Sequence, residues 1–137
     1  MADALVAGGA LPPLALPPLS RATLALYAGG SGDHVPLHID AAFAKAAGYP
    51  DVFMHGMLGM AYLGRLVTTW LPARRLREIG GRFVAITYPG EVLTARGTVV
   101  DVDAGGRARI SLTLTNAEGE AKLAGFAVVD PLEEPES

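Results

Sequence analysis

The apolar residues of the chain change their period near its middle. Between residues 56 and 71 they cover almost the whole circumference of a helix, as Met57, Leu58, Met60, Ala61, Leu63, Leu66, Val67 and Trp70. A helix of a water-exposed protein with almost no polar face is expected to be surrounded by protein. Pro72 ends the segment, because proline cannot continue a helix. The pattern therefore predicts a buried central helix.

Beyond Pro72 the apolar residues alternate with polar ones, which is typical of strands. We predict strands over residues 82–88, 92–102, 108–115 and 121–129, with turns at 103–106 and 116–119. Short turns between consecutive strands make the last three an antiparallel meander. A sheet that curls around one helix would bury an all-round apolar helix. The predicted fold is therefore α+β, of the hotdog type, with an antiparallel sheet wrapped around a central helix.

The first part of the chain is organised differently. Residues 1–19 form a proline-rich lead-in that we expect to be irregular or extended. Ser20 is the predicted N-cap of a short helix over 21–28, which stops at Gly29-Gly30. Asp40 is the predicted N-cap of a second helix over 41–47. With 137 residues, 50% of them hydrophobic, the chain is predicted to be a single domain over 1–137.

Composition excludes several classes of function. There is no cysteine, which rules out disulfides and thiol catalysis, and the net charge of −3 gives no basic surface for nucleic acid. No signal peptide or membrane span is recognised, since prolines interrupt the N-terminus and Arg65 interrupts the longest apolar run. We therefore expect a soluble, cytoplasmic protein that does not interact with membranes.

Two places carry candidate chemistry. Asp33 and His38 lie in one loop with Pro36 between them, and a carboxylate beside an imidazole can hold a water and exchange protons with it near neutral pH. Gly56 begins the central helix, where free backbone N–H groups and the helix dipole favour a developing oxyanion. Taken singly, each motif has a simpler explanation. The loop with Asp33 and His38 could be a turn with a structural histidine, and Gly56 could merely permit tight packing at a helix start. Three histidines without the usual ligand spacing do not indicate a metal site.

Considered in order, these motifs resemble one family. The run from Tyr27 to His38, Tyr-Ala-Gly-Gly-Ser-Gly-Asp-His-Val-Pro-Leu-His, resembles the hydratase signature of MaoC-like dehydratases and (R)-specific enoyl-CoA hydratases. Met54-His-Gly-Met57 resembles that family's motif at the start of its central helix. Phe83 and the segment Tyr88-Pro-Gly-Glu91 resemble its following strand and turn. The resemblance covers residues 20–130 approximately.

The resemblance implies a hotdog fold and reversible hydration of a trans-2-enoyl thioester to the (R)-3-hydroxyacyl thioester. Asp33 and His38 would be the catalytic pair, and the N–H of Gly56 would bind the thioester oxygen. His55, Met57 and Arg82 are candidate substrate-binding residues. No metal and no cofactor are implied, with acyl-CoA as the substrate. Val35 departs from the pattern, since the family usually has asparagine there.

Several alternatives stay open from the sequence. The same residues would serve a 3-hydroxyacyl-ACP dehydratase of fatty-acid or polyketide type, because arginines can bind either a phosphorylated nucleotide or an acidic carrier protein. The chain could also be a non-catalytic subunit, although that role does not require Asp33 and His38. An open sheet edge predicts a homodimer or a hetero-oligomer with a second hotdog subunit.

Overall fold

A computed structural model describes residues 5–131 of the chain. The helices are α1 (Arg21–Ser31), α2 (Ala41–Ala46) and α3 (Gly56–Trp70), with 3-10 turns at Pro36–His38 and Ala73–Arg75. The strands are β1 (Leu14–Ala15), β2 (Leu76–Phe83), β3 (Thr94–Val102), β4 (Ala108–Thr115) and β5 (Ala121–Val129). Residues 1–4 and 132–137, which include the first part of the predicted lead-in, lie outside the described residues.

The strands form one antiparallel sheet in the order β1-β3-β4-β5-β2. One face of the sheet packs on α3, which contacts β2, β3, β4 and β5. The alternation predicted for β4 is confirmed, since Ala108, Ile110, Leu112 and Leu114 are all buried. The described residues thus form the α+β hotdog arrangement that the pattern predicts.

Helix α3 is less enclosed than its sequence suggests. Leu63 and Leu66 are fully buried against the sheet, whereas Met57 is 60% exposed, and Ala61 and Arg65 on the same side of the helix are exposed as well. A single chain therefore covers only one side of α3. The prediction of a helix surrounded by protein is wrong for the isolated chain, because the curl of one five-stranded sheet does not close over the helix.

The strand predicted over 82–88 is wrong in its position. β2 begins at Leu76 and ends at Phe83, where the chain leaves the sheet to form a loop that continues to Tyr88. The sequence conceals this strand because Gly80 and Gly81 suggest a turn. The structure gives the reason for Gly80: a Cβ there would lie 2.9 Å from the ring of Phe126 on the neighbouring strand.

The first helix is longer than predicted. α1 continues through Gly29 and Gly30 and ends at Ser31, and Gly32, with φ of 77°, donates its N–H to the carbonyl of Ala28. The predicted caps Ser20 and Asp40 are confirmed, since each side chain accepts a backbone N–H of its helix. The described part of the lead-in is extended and hydrogen-bonds along β3, as from Leu11 N–H to the carbonyl of Gly97. None of the helices between residues 5 and 131 has the length and hydropathy to cross a membrane.

We expect Gly125→Ala to destabilise the fold. A Cβ at this position would lie 2.4 Å from the carbonyl oxygen of Gly80, so two strand backbones would have to separate. Overpacking of this kind typically costs about 1–3 kcal/mol.

Urea denaturation measures the change, with Gly29→Ala as the control. Gly29 is helical and has open space around it, so alanine there is expected to stabilise by about 0.5–1 kcal/mol. Equal stabilities for the two variants would contradict the close approach of β2 and β5.

Candidate active site

The loop after α1 is folded so that its two ends approach each other. The N–H of Asp33 donates to Ser31 Oγ at 3.1 Å, and Asp33 Oδ1 accepts the N–H of Val35 at 3.4 Å. The chain then turns through the 3-10 segment Pro36–His38. These local bonds fix the direction of Asp33 and return the chain toward it at His38.

His38 is held in one tautomer by the segment that leads into α3. Its Nδ1 lies 2.7 Å from the carbonyl oxygen of Phe53, and because a carbonyl only accepts, Nδ1 must carry the hydrogen. Nε2 is then the nitrogen free to exchange a proton. A carboxylate oxygen of Asp33 and a ring nitrogen of His38 lie within 4.8 Å of each other. One water that hydrogen-bonds to both groups spans about 4.5–5 Å, so this separation suits a bridging water.

His55 lies on the buried side of Asp33 and His38. It is only 1% exposed, and its Nε2 donates to the carbonyl oxygen of Asp33 at 3.1 Å. Its ring stacks on that of His38, with the centroids 3.9 Å apart and the planes inclined by 23°. The position does not support the prediction that His55 contacts the substrate. Burial lowers the pKa of His55 and outweighs the hydrogen bond to Asp33, so the ring is neutral at pH 7.

A cavity of about 430 Å³ opens beside Asp33. Gly56 and Met57, two of the residues singled out from the sequence, line it. The remaining lining residues are mostly apolar: Phe53, Met54, Phe83, Val84, Ala85, Ile86, Thr87 and Leu123. His38 is not part of the lining. An apolar cavity with one carboxylate and a helix N-terminus at its wall suits a hydrophobic ligand that carries one polar reacting group.

Gly56 is required by the packing at the start of α3. A Cβ there would lie 2.8 Å from the ring of Phe83, which is 56% exposed and lies over this end of the helix. The N–H of Gly56 has no acceptor among the described residues. The residue thus combines a free donor at a positive helix end with the lack of a side chain, which lets the Phe83 ring pack against it.

Arg82 is not part of this cavity. It lines a separate groove on the outer face of the sheet, together with Arg109, Ser111 and Phe126. Successive residues of a strand point to opposite faces, so Phe83 points to the helix side and Arg82 away from it. Arg82 therefore does not line the cavity beside Asp33, and its role in substrate binding stays a prediction.

Asp33, His38 and His55 together offer three atoms that could hold a metal ion. Their geometry does not favour one. Lone pairs lie in the plane of an imidazole, and the two stacked rings direct theirs nearly parallel instead of toward one point. His55 Nε2 is in addition occupied by the Asp33 carbonyl. The donor set does not fit a resident metal ion, and the absence of a metal stays a prediction.

A buried ion pair supports one wall of the cavity. Lys122 is 2% exposed; its Nζ donates to the carbonyl of Ile86 at 2.8 Å and pairs with Glu91 at 2.9 Å and with Glu120. Burial opposes the charge of Glu91, but hydrogen bonds from Asn116, Tyr88 N–H and Lys122 outweigh it and hold the pKa of Glu91 below its ordinary value. Lys122 thus fixes the loop that carries Val84 to Thr87.

Sequence reasoning did not single out four parts of this site. Phe53 contributes its carbonyl, which no side-chain pattern reveals, and residues 84–87 were assigned to a strand. Tyr27 stood in the quoted motif without a role, yet its ring contacts His55 edge-on at 4.7 Å. Lys122 was hidden because a lysine in an alternating strand is normally a solvent-facing residue.

Comparisons with known proteins show which family and fold the chain resembles. The family model described as MaoC like domain matches residues 13–126. Among curated proteins, the peroxisomal enoyl-CoA hydratase 2 of Arabidopsis thaliana is 35% identical over 66 residues, which are 46% of this chain and 21% of that protein. The match therefore spans about a fifth of that relative's length.

Solved structures match over nearly the whole chain. The R-hydratase PhaJ1 of Pseudomonas aeruginosa, solved unliganded, superposes with a TM-score of 0.83 at 26% identity, covering 97% of this chain and 90% of that one. The ChsH1-ChsH2 complex of Mycobacterium tuberculosis gives a TM-score of 0.83 at 23% identity, covering 93% and 98%, and indicates the fold alone.

We expect Lys122→Met to destabilise the protein by about 1–3 kcal/mol, because it leaves partly buried acceptors without their donor. Glu120→Gln is the control: Glu120 is 57% exposed, and loss of such a pair costs less than about 1 kcal/mol.

The lowered pKa of Glu91 means that its stabilising effect is present above the ordinary glutamate pKa and is lost as the pH falls through its folded value. Chemical denaturation at neutral and acidic pH measures both effects. A Lys122→Met variant as stable as wild type would contradict this role of the ion pair.

Proposed function

The chain belongs to the family of MaoC-like domains, and we propose that it is a hydratase that adds water reversibly to a trans-2-enoyl-CoA and gives the (R)-3-hydroxyacyl thioester. The observation that carries this proposal is the pairing of Asp33 with His38. A carboxylate oxygen of Asp33 and a ring nitrogen of His38 lie within 4.8 Å of each other, and Asp33 lines an apolar cavity that also contains Gly56. The relative and the solved structure named as hydratases support the same reaction class.

The reaction follows from the hydrogen bonds at the site. A water held between Asp33 and His38 gives a proton to the carboxylate as its oxygen bonds to C3 of the substrate. The electrons of the double bond move toward the thioester oxygen. The proton that Asp33 has taken passes to His38 Nε2, which carries none in the resting tautomer, and from there to C2 as the enolate collapses, so that both residues return to their starting states. The Phe53 carbonyl occupies Nδ1, so Nε2 is the nitrogen that exchanges the proton. Because the pair is coupled, the two residues can exchange roles.

Gly56 stabilises the intermediate in this proposal. Negative charge develops on the thioester oxygen, and the free N–H at the start of α3 is a donor placed at the positive end of the helix dipole. The apolar cavity walls accept the acyl chain and lower the local dielectric, which strengthens that hydrogen bond. The thioester acidifies C2 by itself, so the proposal needs no metal and no redox cofactor.

The acyl carrier and the assembly are part of the proposal. A 3-hydroxyacyl-ACP dehydratase would run the same steps toward elimination, and the cavity residues do not distinguish the carriers. The outer edge of β2 has no partner strand within residues 5–131, and the uncovered side of α3 carries Met57 and Ala61. A second hotdog subunit, identical or related, would cover both. Solved hotdog relatives include a complex of this kind, ChsH1-ChsH2.

We expect Asp33→Asn and His38→Ala to lower kcat/KM for hydration about 10²–10⁴-fold, the range that general acid–base groups contribute. The measurement is the loss of conjugated enoyl-thioester absorbance with short and long trans-2-enoyl-CoA. Chiral analysis of the product tests the (R) configuration. The reverse assay with 3-hydroxyacyl-CoA and 3-hydroxyacyl-ACP identifies the preferred carrier.

Two neighbouring residues provide matched controls. Asp40→Asn keeps the cap of α2, since asparagine caps helices as well as aspartate does. His34→Ala removes an exposed imidazole from the same loop. Both variants are expected to keep wild-type rates. A folded wild-type protein that is inactive on every thioester, with and without a second hotdog subunit, would overturn the proposed activity.

We expect the purified chain to form a dimer that Ala61→Glu weakens, because a charge on the uncovered side of α3 opposes burial there. Light scattering after size exclusion, at several concentrations, measures the mass. Leu26→Glu is the control, since Leu26 is 77% exposed and lies on α1 and not on α3. An unaltered chain that is both monomeric and fully active would contradict the need for a second subunit.

A further inference from the structure

We propose that His55 is a positioning residue for the catalytic pair: its Nε2–H fixes the backbone of Asp33, and its ring face fixes the plane of His38. The inference deepens the proposed hydratase function and rests on it for its kinetic test. One side chain thereby touches both members of the pair, which otherwise belong to the loop that follows α1.

The first argument is the contact geometry. His55 Nε2 lies 3.1 Å from the carbonyl oxygen of Asp33, the residue whose carboxylate must face the water. The rings of His55 and His38 are 3.9 Å apart and nearly parallel. Tyr27 packs edge-on against His55 at 4.7 Å, so the imidazole is contacted by Tyr27 as well as by His38. His38 is thus fixed at Nδ1 by Phe53 and across its ring face by His55.

The second argument is energetic. His55 is 1% exposed, and its Nδ1 has no hydrogen-bond partner among the described residues. A buried polar atom without a partner costs about 1–3 kcal/mol. An apolar aromatic side chain would fill the same space without that cost. A histidine at this place is therefore poorly explained by packing and well explained by the donor that it supplies to Asp33.

The third argument is position along the chain. His55 is the N-cap residue of α3 and immediately precedes Gly56, the proposed oxyanion donor. A residue that contacts Asp33 and His38 from this place sets the distance between the proton-transfer groups and the N–H that binds the thioester oxygen. Rate depends steeply on such distances, since a displacement of about 1 Å can cost about 10²-fold.

Two substitutions separate the two contacts. His55→Phe keeps an aromatic face for His38 and removes the donor to Asp33. His55→Gln keeps an amide N–H close to the former Nε2 and removes the ring. We expect kcat of the Phe variant to fall about 10–100-fold, the usual effect of removing an orienting partner. KM is expected to stay within about threefold, because His55 does not line the cavity. The Gln variant is expected to recover part of kcat.

Stability measurements distinguish positioning from a structural role. The Phe variant is expected to be as thermally stable as wild type or more so, because the unpaired Nδ1 is removed. Leu66→Val is the control: it weakens the core on the buried side of α3 and should lower stability while kcat is retained. A Phe variant with wild-type kcat, a change in KM alone, or a loss of activity in proportion to lost stability would each overturn the inference.

Imidazole ¹⁵N NMR tests the inference independently of turnover. Wild type is expected to show His38 protonated at Nδ1 and His55 at Nε2. In His55→Gln, which removes the ring face, the signals of His38 are expected to broaden, because the imidazole is no longer held in one orientation. His55→Phe keeps an aromatic face and leaves the hydrogen bond to Phe53 in place, so it is expected to retain the Nδ1-protonated pattern. If wild type proves inactive on every thioester, the proposed function fails, and this spectrum alone decides whether His55 positions His38. His38 signals in the Gln variant that are as sharp as those of wild type would refute the positioning of His38 by His55.

Discussion

Three consecutive residues that lead into α3 hold the site together. The carbonyl of Phe53 binds His38 Nδ1, the N–H of Met54 binds the carbonyl of Thr87 at 2.9 Å, and the side chain of His55 binds the carbonyl of Asp33. The loop after α1 and the loop after β2 are thereby attached to the same short stretch of backbone. Because α3 is packed on four strands, that stretch is itself immobile relative to the sheet. The position of both proton-transfer groups follows from how this segment is placed.

The same segment concentrates unfavourable features. The described residues contain two buried polar atoms without a partner, His55 Nδ1 and Thr87 Oγ1, and both belong to residues that contact this stretch or form it. Phe83, Val84 and Ile86 remain exposed around the cavity. Elsewhere among the described residues the buried side chains are apolar except for Arg75, whose Nε donates to the carbonyl of Asp130 at 2.8 Å. Unpaired polar atoms and exposed apolar side chains that cluster at one place are typical of a site that is preserved for function at some cost in stability.

The uncovered side of α3 and the free edge of β2 extend this argument beyond one chain. Exposed apolar surface around the cavity and an unpaired strand edge are both liabilities in an isolated protein. A second subunit across that edge would bury them and close the cavity further. One solved structure of the same fold, ChsH1-ChsH2 of Mycobacterium tuberculosis, is a complex.

The sequence by itself determined the elements that depend on local pattern. The all-round apolar run gave α3 to within one residue of its observed end, the alternation gave β4 and β5, and Ser20 and Asp40 gave two helix starts. It also singled out Asp33, His38 and Gly56 as candidate site residues, through the resemblance of three ordered motifs to one family. These features could be predicted because helix and strand periods, caps and short motifs are encoded by neighbouring residues.

Only the tertiary structure decided what depends on contacts between distant segments. β2 was misplaced because its glycines are explained by Phe126 and Gly125 on another strand. His55 and Arg82 were expected near the substrate, and the structure places one behind the pair and the other across the sheet. The cover of α3 was overestimated because a pattern reports which surface is apolar and not which chain buries it. The pairing of strands, the burial of a side chain and the face of the sheet on which it lies are set by packing between distant segments. A local sequence pattern does not contain this information.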